Sequence, residues 1–261
     1  METCMLEWPG LLSGLVVGLS LGLTGGGGSI FAVPLLIYAL GVEPRTAIGL
    51  SLAAVGVTAG FGAVLRAKSG EIEWLPGLVF AVGGMAFAPL GIRIGHHLAP
   101  ALLLSVFALL MTYVGWRMWR GKADGDPATG PCVVRNGGRL SGQCYVRLIL
   151  AGAVAGLLSG LFGIGGGFVI VPALIYVTGT SIHRAVATSL LAIFLISASG
   201  VTAHLIQGQQ FPMPLSALFV AGGFLGMLLG GAMGKRLSGP ALRKVFAVAM
   251  WGIGLYMLVR R

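Results

Sequence analysis

One stretch of this chain occurs twice. The segment GLTGGGGSIFAVPLLIY begins at Gly22, and its copy GLFGIGGGFVIVPALIY begins at Gly160, a shift of 138 residues. In both copies a cluster of glycines interrupts a long apolar run. Non-helical backbone at membrane depth is tolerated only where protein buries it or where it lines a cavity. A duplicated break of this kind is therefore typical of the binding site of a transporter.

The composition requires a membrane environment. Hydrophobic residues make up 56% of the 261 residues and charged residues only 9%, too few polar groups to cover a water-soluble core. The formal charge is +10, but the basic residues stand at the ends of apolar segments, where they set topology and contact lipid headgroups. We therefore expect the lipid bilayer as a partner and no nucleic acid.

Acidic residues and cysteines exclude several kinds of site. Every Asp and Glu stands in a tail, a loop or the linker between the halves, so no apolar segment contains a carboxylate that could relay protons or bind cations. Cys4, Cys132 and Cys144 are odd in number and lack metal-ligand spacing. They predict incidental thiols, with no zinc site and no disulfide framework.

The two halves form one expected transmembrane domain, residues 1–261. Repeat one covers residues 11–120 and repeat two covers residues 146–261, because matched glycines, prolines and serines continue at the same shift through both. Residues 121–145 are polar and rich in Gly and Pro, which is the composition of a flexible linker.

The first apolar run of each repeat is too long for one crossing. The glycines divide it into pieces of about 15 and 13 residues, each shorter than the roughly 30 Å hydrocarbon core. We expect a V that enters the membrane and returns; two strongly tilted crossings are the alternative and give the same sidedness. The predicted fold class is an all-α polytopic membrane protein with two inverted homologous repeats. Each repeat is a glycine-broken V-shaped helix pair plus three transmembrane helices.

Charge placement predicts the topology. Six basic residues in and beside the linker place residues 121–145 in the cytoplasm by the positive-inside rule. With an inverted second repeat, the loop with Arg66 and Lys68 and the basic cluster from Lys235 to Lys244 share that side. We expect a multi-pass protein of the cell inner membrane.

The glycine breaks are the predicted binding site. A short helix is expected after each break, from Ile30 to Leu40 and from Phe168 to Val177. Its free N–H groups and positive dipole end would attract an anion without any charged side chain, and glycine amides can also form an anion-binding nest. The alternative is that these glycines only allow close helix packing, which we expect for the Gly-xxx-Gly series elsewhere. The predicted substrate-binding residues are Gly25, Gly26, Gly27, Gly28, Ser29, Ser51, Gly163, Gly165, Gly166, Gly167, Thr188 and Ser189.

Side chains near the breaks add further candidates. Ser51 and the pair Thr188-Ser189 stand at matched places, where their hydroxyls either bind a substrate oxygen or cap their own helix. His204 and Arg66 are also matched and are the candidates for coupling; snorkelling to the membrane interface is the alternative. The chain contains no P-loop, GxGxxG, GxSxG or HExxH motif, so no enzyme activity and no cofactor are predicted.

These segments resemble the TauE/SafE family of sulfite and organosulfonate exporters, whose signature is a duplicated glycine-rich opening followed by a hydrophobic helix with a proline. The matching residues are GLTGGGGSIFAVP from Gly22 and GLFGIGGGFVIVP from Gly160, followed by AIGLS from Ala47 and AVATS from Ala185. The first half departs from the pattern with four consecutive glycines, and Leu50 stands where the second copy has Thr188. The resemblance implies an inner-membrane carrier of a small sulfur-containing oxyanion, such as sulfite or an organosulfonate, and implies export.

The sequence predicts a secondary transporter with a small anionic substrate, working by alternating access around the two breaks. A non-transporting membrane scaffold or assembly protein is the first alternative, and a cation carrier is the second. A homodimer is left open.

Overall fold

The computed structural model describes residues 2–120, 142–163, 167–208, 213–234, 248, 251–252 and 255, which are helical with short connections. Repeat one begins with α1 (Glu2–Thr24) and an irregular helix, α2, made of a 3₁₀ turn at Gly27–Phe31, an α turn at Ala32–Pro34 and a π turn at Leu35–Ala39. The longer helices that follow are α3 (Pro44–Ala67), α4 (Trp74–His97) and α5 (Pro100–Arg120). Repeat two contains α6 (Gly142–Phe162), α7 (Gly167–Thr178), α8 (Ile182–Ile206) and α9 (Met213–Gly234).

Five helices among the described residues are long and apolar enough to cross a membrane, namely those at Pro44–Ala67, Trp74–His97, Gly142–Phe162, Ile182–Ile206 and Pro214–Met233. The prediction of an all-α polytopic membrane protein is therefore confirmed. α3 and α8 are the most buried of these spans, because 61% of the apolar 18-residue stretch of each helix lies inside the protein. The centre of the molecule thus lies between one helix from each repeat.

The predicted lengths of the broken arms are only partly correct. α1 has 23 residues and α6 has 21, not the roughly 15 expected for a half-crossing arm, and 21 residues extend about 31 Å. Both helices begin in the polar residues before the apolar run, which a hydropathy pattern does not count. The second arm is short, as expected, because α7 has 12 residues.

Glycines set the closest helix contacts. A Cβ on Gly18 would overlap the carbonyl of Gly223, and one on Gly156 would overlap the carbonyl of Gly84. Along both helix pairs the contacting residue numbers rise together, so α1 runs parallel to α9 and α4 runs parallel to α6. The packing interpretation of the Gly-xxx-Gly series is confirmed at Gly14, Gly18, Gly22, Gly152, Gly156, Gly160, Gly222, Gly226 and Gly230.

The two central helices cross in opposite directions. Gly62 of α3 contacts Leu190 of α8, and Gly200 of α8 contacts Leu52 of α3. We call the end where α3 begins and α4, α6 and α8 end face A, and the opposite end face B. The contacts of Gly223 with Thr58 and of Gly62 with Met227 make α9 parallel to α3, so α1 and α9 end toward face B.

One cysteine differs from expectation. Cys144, in the first turn of α6, is buried and disulfide-bonded. The prediction of incidental thiols is therefore wrong for this residue. Cysteine number and spacing alone do not fix disulfide connectivity.

Candidate functional site

The two glycine breaks meet between the repeats. A Cβ on Gly26 would overlap the backbone of Gly167, and a Cβ on Gly167 would overlap the Cα of Gly26. Since α2 begins at Gly27 and α7 begins at Gly167, the beginnings of two helices lie against each other inside the protein. The first N–H groups of a helix have no carbonyl partner within it, so this contact brings two sets of such donors together.

Each break also packs on the central helix of the other repeat. Gly25, with φ of +77°, lies against Val186 of α8, and Gly163, with φ of +67°, lies against Ile48 of α3. The 138-residue shift converts one contact into the other. These positive φ angles are favourable only for glycine. The chain therefore turns at matched places against matched partners.

Three buried serines beside the breaks donate to backbone carbonyls, and one of these bonds joins the two repeats. Ser51 Oγ donates to the carbonyl of Gly163 in the other repeat at 2.7 Å. Ser189 Oγ donates to Val186 in its own helix at 2.8 Å, and Ser29 Oγ donates to Gly26 at 2.8 Å. A serine hydroxyl has one hydrogen, so none of the three can donate to an anion in this state. The donors suited to an anion are then the amides at the helix beginnings.

Thr188 has a partner that the sequence did not indicate. Its Oγ1 accepts a hydrogen bond from the backbone N–H of Glu73, at 3.0 Å, and the Glu73 carboxylate lies 3.7 Å from Arg184. Glu73 belongs to the turn between α3 and α4. A carboxylate from a loop thus stands beside a candidate site residue, although no apolar segment contains one.

The two coupling candidates lie at opposite faces. Arg66 donates to the carbonyl of Gly22, near the end of α1, at 3.2 Å and pairs with Glu71 at 3.4 Å. His204 is 3% exposed, and its ring centroid lies 6.1 Å from that of His96. His204 is therefore packed inside the protein near face A, which differs from a side chain that snorkels to the interface.

The remaining candidates are not all at the contact. Gly28 packs against Ser20 and Leu21 of α1, so its missing side chain closes the V itself. Gly27 begins α2, whereas Gly165 and Gly166 lie outside the described residues. Within the part of the chain that the structure describes, no cluster of three or more His, Cys, Asp or Glu side chains could hold a metal ion.

A small cavity opens beside the second break at face A. Its volume is about 30 Å³, which is room for about two water molecules. Its lining includes Ile48, which contacts Gly163, and Gly160. The lining residues are Pro44, Arg45, Ile48, Ile92, Gly95, His96, Leu98, Leu103, Leu104, Gly160, Leu161 and His204.

Glu73 gives this site a pH-dependent contribution to stability. Burial raises the pKa of the Glu73 carboxyl, and Arg184 opposes that rise. The folded protein therefore binds this proton more tightly than the unfolded chain. The corresponding stability is present below the unfolded pKa and is lost as pH rises through the folded pKa.

Arg184→Gln removes the opposing cation, so the pKa of Glu73 rises further. We expect the Tm of the variant to lie below that of the wild type at pH 8. At pH 5 the difference in Tm should be smaller or absent. The difference is expected to stay under about 1 kcal/mol, because an exposed partner is screened by solvent. Thermal unfolding in detergent at both pH values measures it. In Glu73→Gln/Arg184→Gln the pH dependence should vanish, and an equal offset at both pH values would contradict the assignment.

Several known proteins are similar to this chain over nearly its whole length. A probable membrane transporter protein of Xylella fastidiosa (strain Temecula1 / ATCC 700964) is 39% identical over 254 residues, covering 95% of this chain and 93% of that protein. Its counterpart in Xylella fastidiosa (strain 9a5c) is 38% identical over 254 residues, with the same coverage of 95% and 93%. The probable membrane transporter protein YunE of Bacillus subtilis (strain 168) is 27% identical over 259 residues, covering 94% of each chain. No solved structure matches.

The family model described as sulfite exporter TauE/SafE matches residues 10–257, which include both glycine breaks and all the long apolar helices. The predicted resemblance is therefore confirmed. The chain belongs to the sulfite exporter TauE/SafE family and is a multi-pass transmembrane transporter.

Proposed function

We propose that this protein is a secondary transporter that moves a small sulfur-containing oxyanion, such as sulfite or an organosulfonate, outward across the cell inner membrane. The observation that carries the proposal is the contact between the backbones of Gly26 and Gly167. It joins two helix beginnings from different repeats, the place where peptide amides can bind an anion without a charged side chain.

The proposed architecture is two inverted repeats, residues 11–120 and 146–261, joined by the linker 121–145. α3 and α8 are equivalent helices of the two repeats, and they cross antiparallel. The contacts Gly62–Leu190 and Gly200–Leu52 exchange under the 138-residue shift, as a two-fold axis in the membrane plane requires. Equivalent helices related by such an axis give alternating access when one repeat rocks against the other.

The contact between Gly26 and Gly167 has to open during the transport cycle. Gly26 and Gly167 leave no room for an anion between them in this state. Binding therefore requires the two helix beginnings to separate. We assign the bond from Ser51 to Gly163, which joins the two repeats, the role of holding them closed. An oxyanion presents several acceptor oxygens, which suits a site made of convergent N–H groups.

Sidedness and coupling are parts of the same proposal. The basic linker favours the cytoplasm for face B. The disulfide of Cys144 opposes that side, because disulfides persist mainly in oxidising compartments. An epitope inserted within residues 121–145 decides the side, because in spheroplasts, whose outer membrane has been opened, it is accessible only if the linker is outside. For coupling we propose His204 at face A and Arg66 at face B, since each stands at the end of a central helix.

Flux through purified protein tests the proposed function. We expect proteoliposomes loaded with labelled sulfite, methanesulfonate, thiosulfate or sulfate to release at least one of these anions about tenfold faster than empty liposomes, as a site that lowers the barrier for a buried anion should. Labelled sodium and potassium serve as controls. Sodium or potassium flux alone would favour a cation carrier. No flux of any ion from folded, monodisperse protein would favour a scaffold.

A further inference from the structure

We infer that the cavity at face A belongs to an anion-attracting vestibule, whose basic side chains draw a small oxyanion toward the second glycine break before or after it passes the centre. The identity of the transported anion rests on the proposed function. The charge selectivity of the vestibule does not.

The basic side chains of the lining come from three helices. Arg45 stands in the first turn of α3, His96 in the last turn of α4 and His204 in the last turn of α8. They are near one another, because Arg45 Nη2 donates to the carbonyl of His96 at 3.4 Å and the two imidazole rings are 6.1 Å apart. Three separate elements thus bring nitrogen-bearing side chains to one small space.

The rest of the lining strengthens attraction for an anion. Among the described residues, no acidic side chain lines the cavity. The remaining walls are mainly Ile and Leu side chains, whose low polarity reduces screening and increases the attraction of a cation for an anion. Glu43, in the turn before α3, is exposed and is not part of the lining. The cavity therefore favours negative charge and disfavours positive charge.

The mirrored positions at face B are bonded together. By the 138-residue shift, Arg66 corresponds to His204 and Gly22 corresponds to Gly160. Arg66 donates to the carbonyl of Gly22 and pairs with Glu71, whereas His204 and Gly160 both line the cavity. In this state the matched position at face A borders the cavity, whereas the position at face B is held by the bonds of Arg66. The vestibule therefore lies on the face A side of the second break.

A cysteine placed in the lining reports the charge preference directly. In Leu104→Cys, purified as the full chain in detergent, we expect an anionic methanethiosulfonate reagent to react about tenfold faster than a cationic one, relative to their rates with free cysteine. The same labelling of the wild-type protein gives the background reaction of its native cysteines, which is subtracted. Methanesulfonate should slow the reaction, and gluconate at equal ionic strength should not.

Two arginine variants in the same background separate the vestibule from general surface charge. Arg45→Gln is expected to lower the anionic-to-cationic rate ratio about threefold or more, because it removes a charge from the lining. Arg93→Gln is the matched control: Arg93 is an exposed arginine near the same end of α4, outside the lining, so the ratio should stay unchanged. Leu98→Cys gives the same measurement at a second position.

A ratio near one, or a ratio that Arg45→Gln leaves unchanged, would overturn the inference. Charge-selective labelling without any anion flux would leave the vestibule in place and refute the proposed function. Anion flux without charge-selective labelling would support the proposed function and refute the vestibule.

Discussion

Replacement of Gly26 by alanine is expected to slow anion transport strongly. The added methyl group would overlap the carbonyl group of Gly167, and both partners are backbone, so neither can move aside by rotating a side chain. Overpacking of this kind costs about 1–3 kcal/mol, which corresponds to roughly 5- to 150-fold in the population of the closed contact. Sulfite or methanesulfonate flux in proteoliposomes measures the loss.

Gly231→Ala is the matched control for this experiment. A Cβ at Gly231 meets nothing within 4 Å, so flux should remain at the level of the wild type. Gly26→Ala with wild-type flux and a monodisperse elution profile would contradict the assignment of the breaks as the site.

Ser51→Ala keeps the test decisive if Gly26→Ala does not fold. It adds no volume and removes only the hydroxyl that donates to the carbonyl of Gly163 across the repeats. A buried hydrogen bond is worth about 1 kcal/mol, so we expect the rate of flux to change about fivefold. An unchanged rate would show that this bond does not control the contact.

The repeat made the centre of the fold predictable. A single shift of 138 residues pairs Gly25 with Gly163 and Val186 with Ile48, and the structure contains both contacts in matched form. Such matching follows from duplication, because two copies of one segment meet their partners in the same way. The position of short helices after the breaks followed from glycine clusters for the same reason.

Contacts that depend on distant segments could not be predicted. Glu73 reaches Thr188 because the turn between α3 and α4 folds back over α8, and no local pattern encodes that return. The 3₁₀ and π turns of α2 were also not foreseen. Apolar periodicity is satisfied by a regular helix and by an irregular one alike.

The role of each glycine was predictable only as a class. Sequence spacing identified the Gly-xxx-Gly series as packing positions, and the structure bears this out. The same spacing kept Gly230 in the series and left its neighbour Gly231 out, and in the structure Gly230 faces α1 whereas Gly231 faces open space. The spacing did not identify α1 as the partner of Gly230, because a single segment does not specify which helix it meets.

These neighbours provide the prediction with the largest expected effect on stability. Gly230→Val should prevent α9 from packing against α1, because its Cβ would overlap the carbonyl of Leu19 and lie 3.1 Å from the Cα of Gly22. The overlapped atoms belong to the backbone of α1 and cannot rotate away. We therefore expect the free energy of unfolding to fall by about 3 kcal/mol or more. Thermal unfolding in detergent, followed by tryptophan fluorescence, should show a much lower Tm or no cooperative transition.

Gly231→Val isolates the cause, since it puts the same side chain one position further along the same helix. Intrinsic effects of a β-branched residue in a helix are nearly equal at the two positions and cancel in the comparison. The Tm of Gly231→Val should stay close to that of the wild type. Equal destabilisation by both substitutions would mean that valine disturbs α9 itself, and that backbone contact through Gly230 does not hold α1 and α9 together.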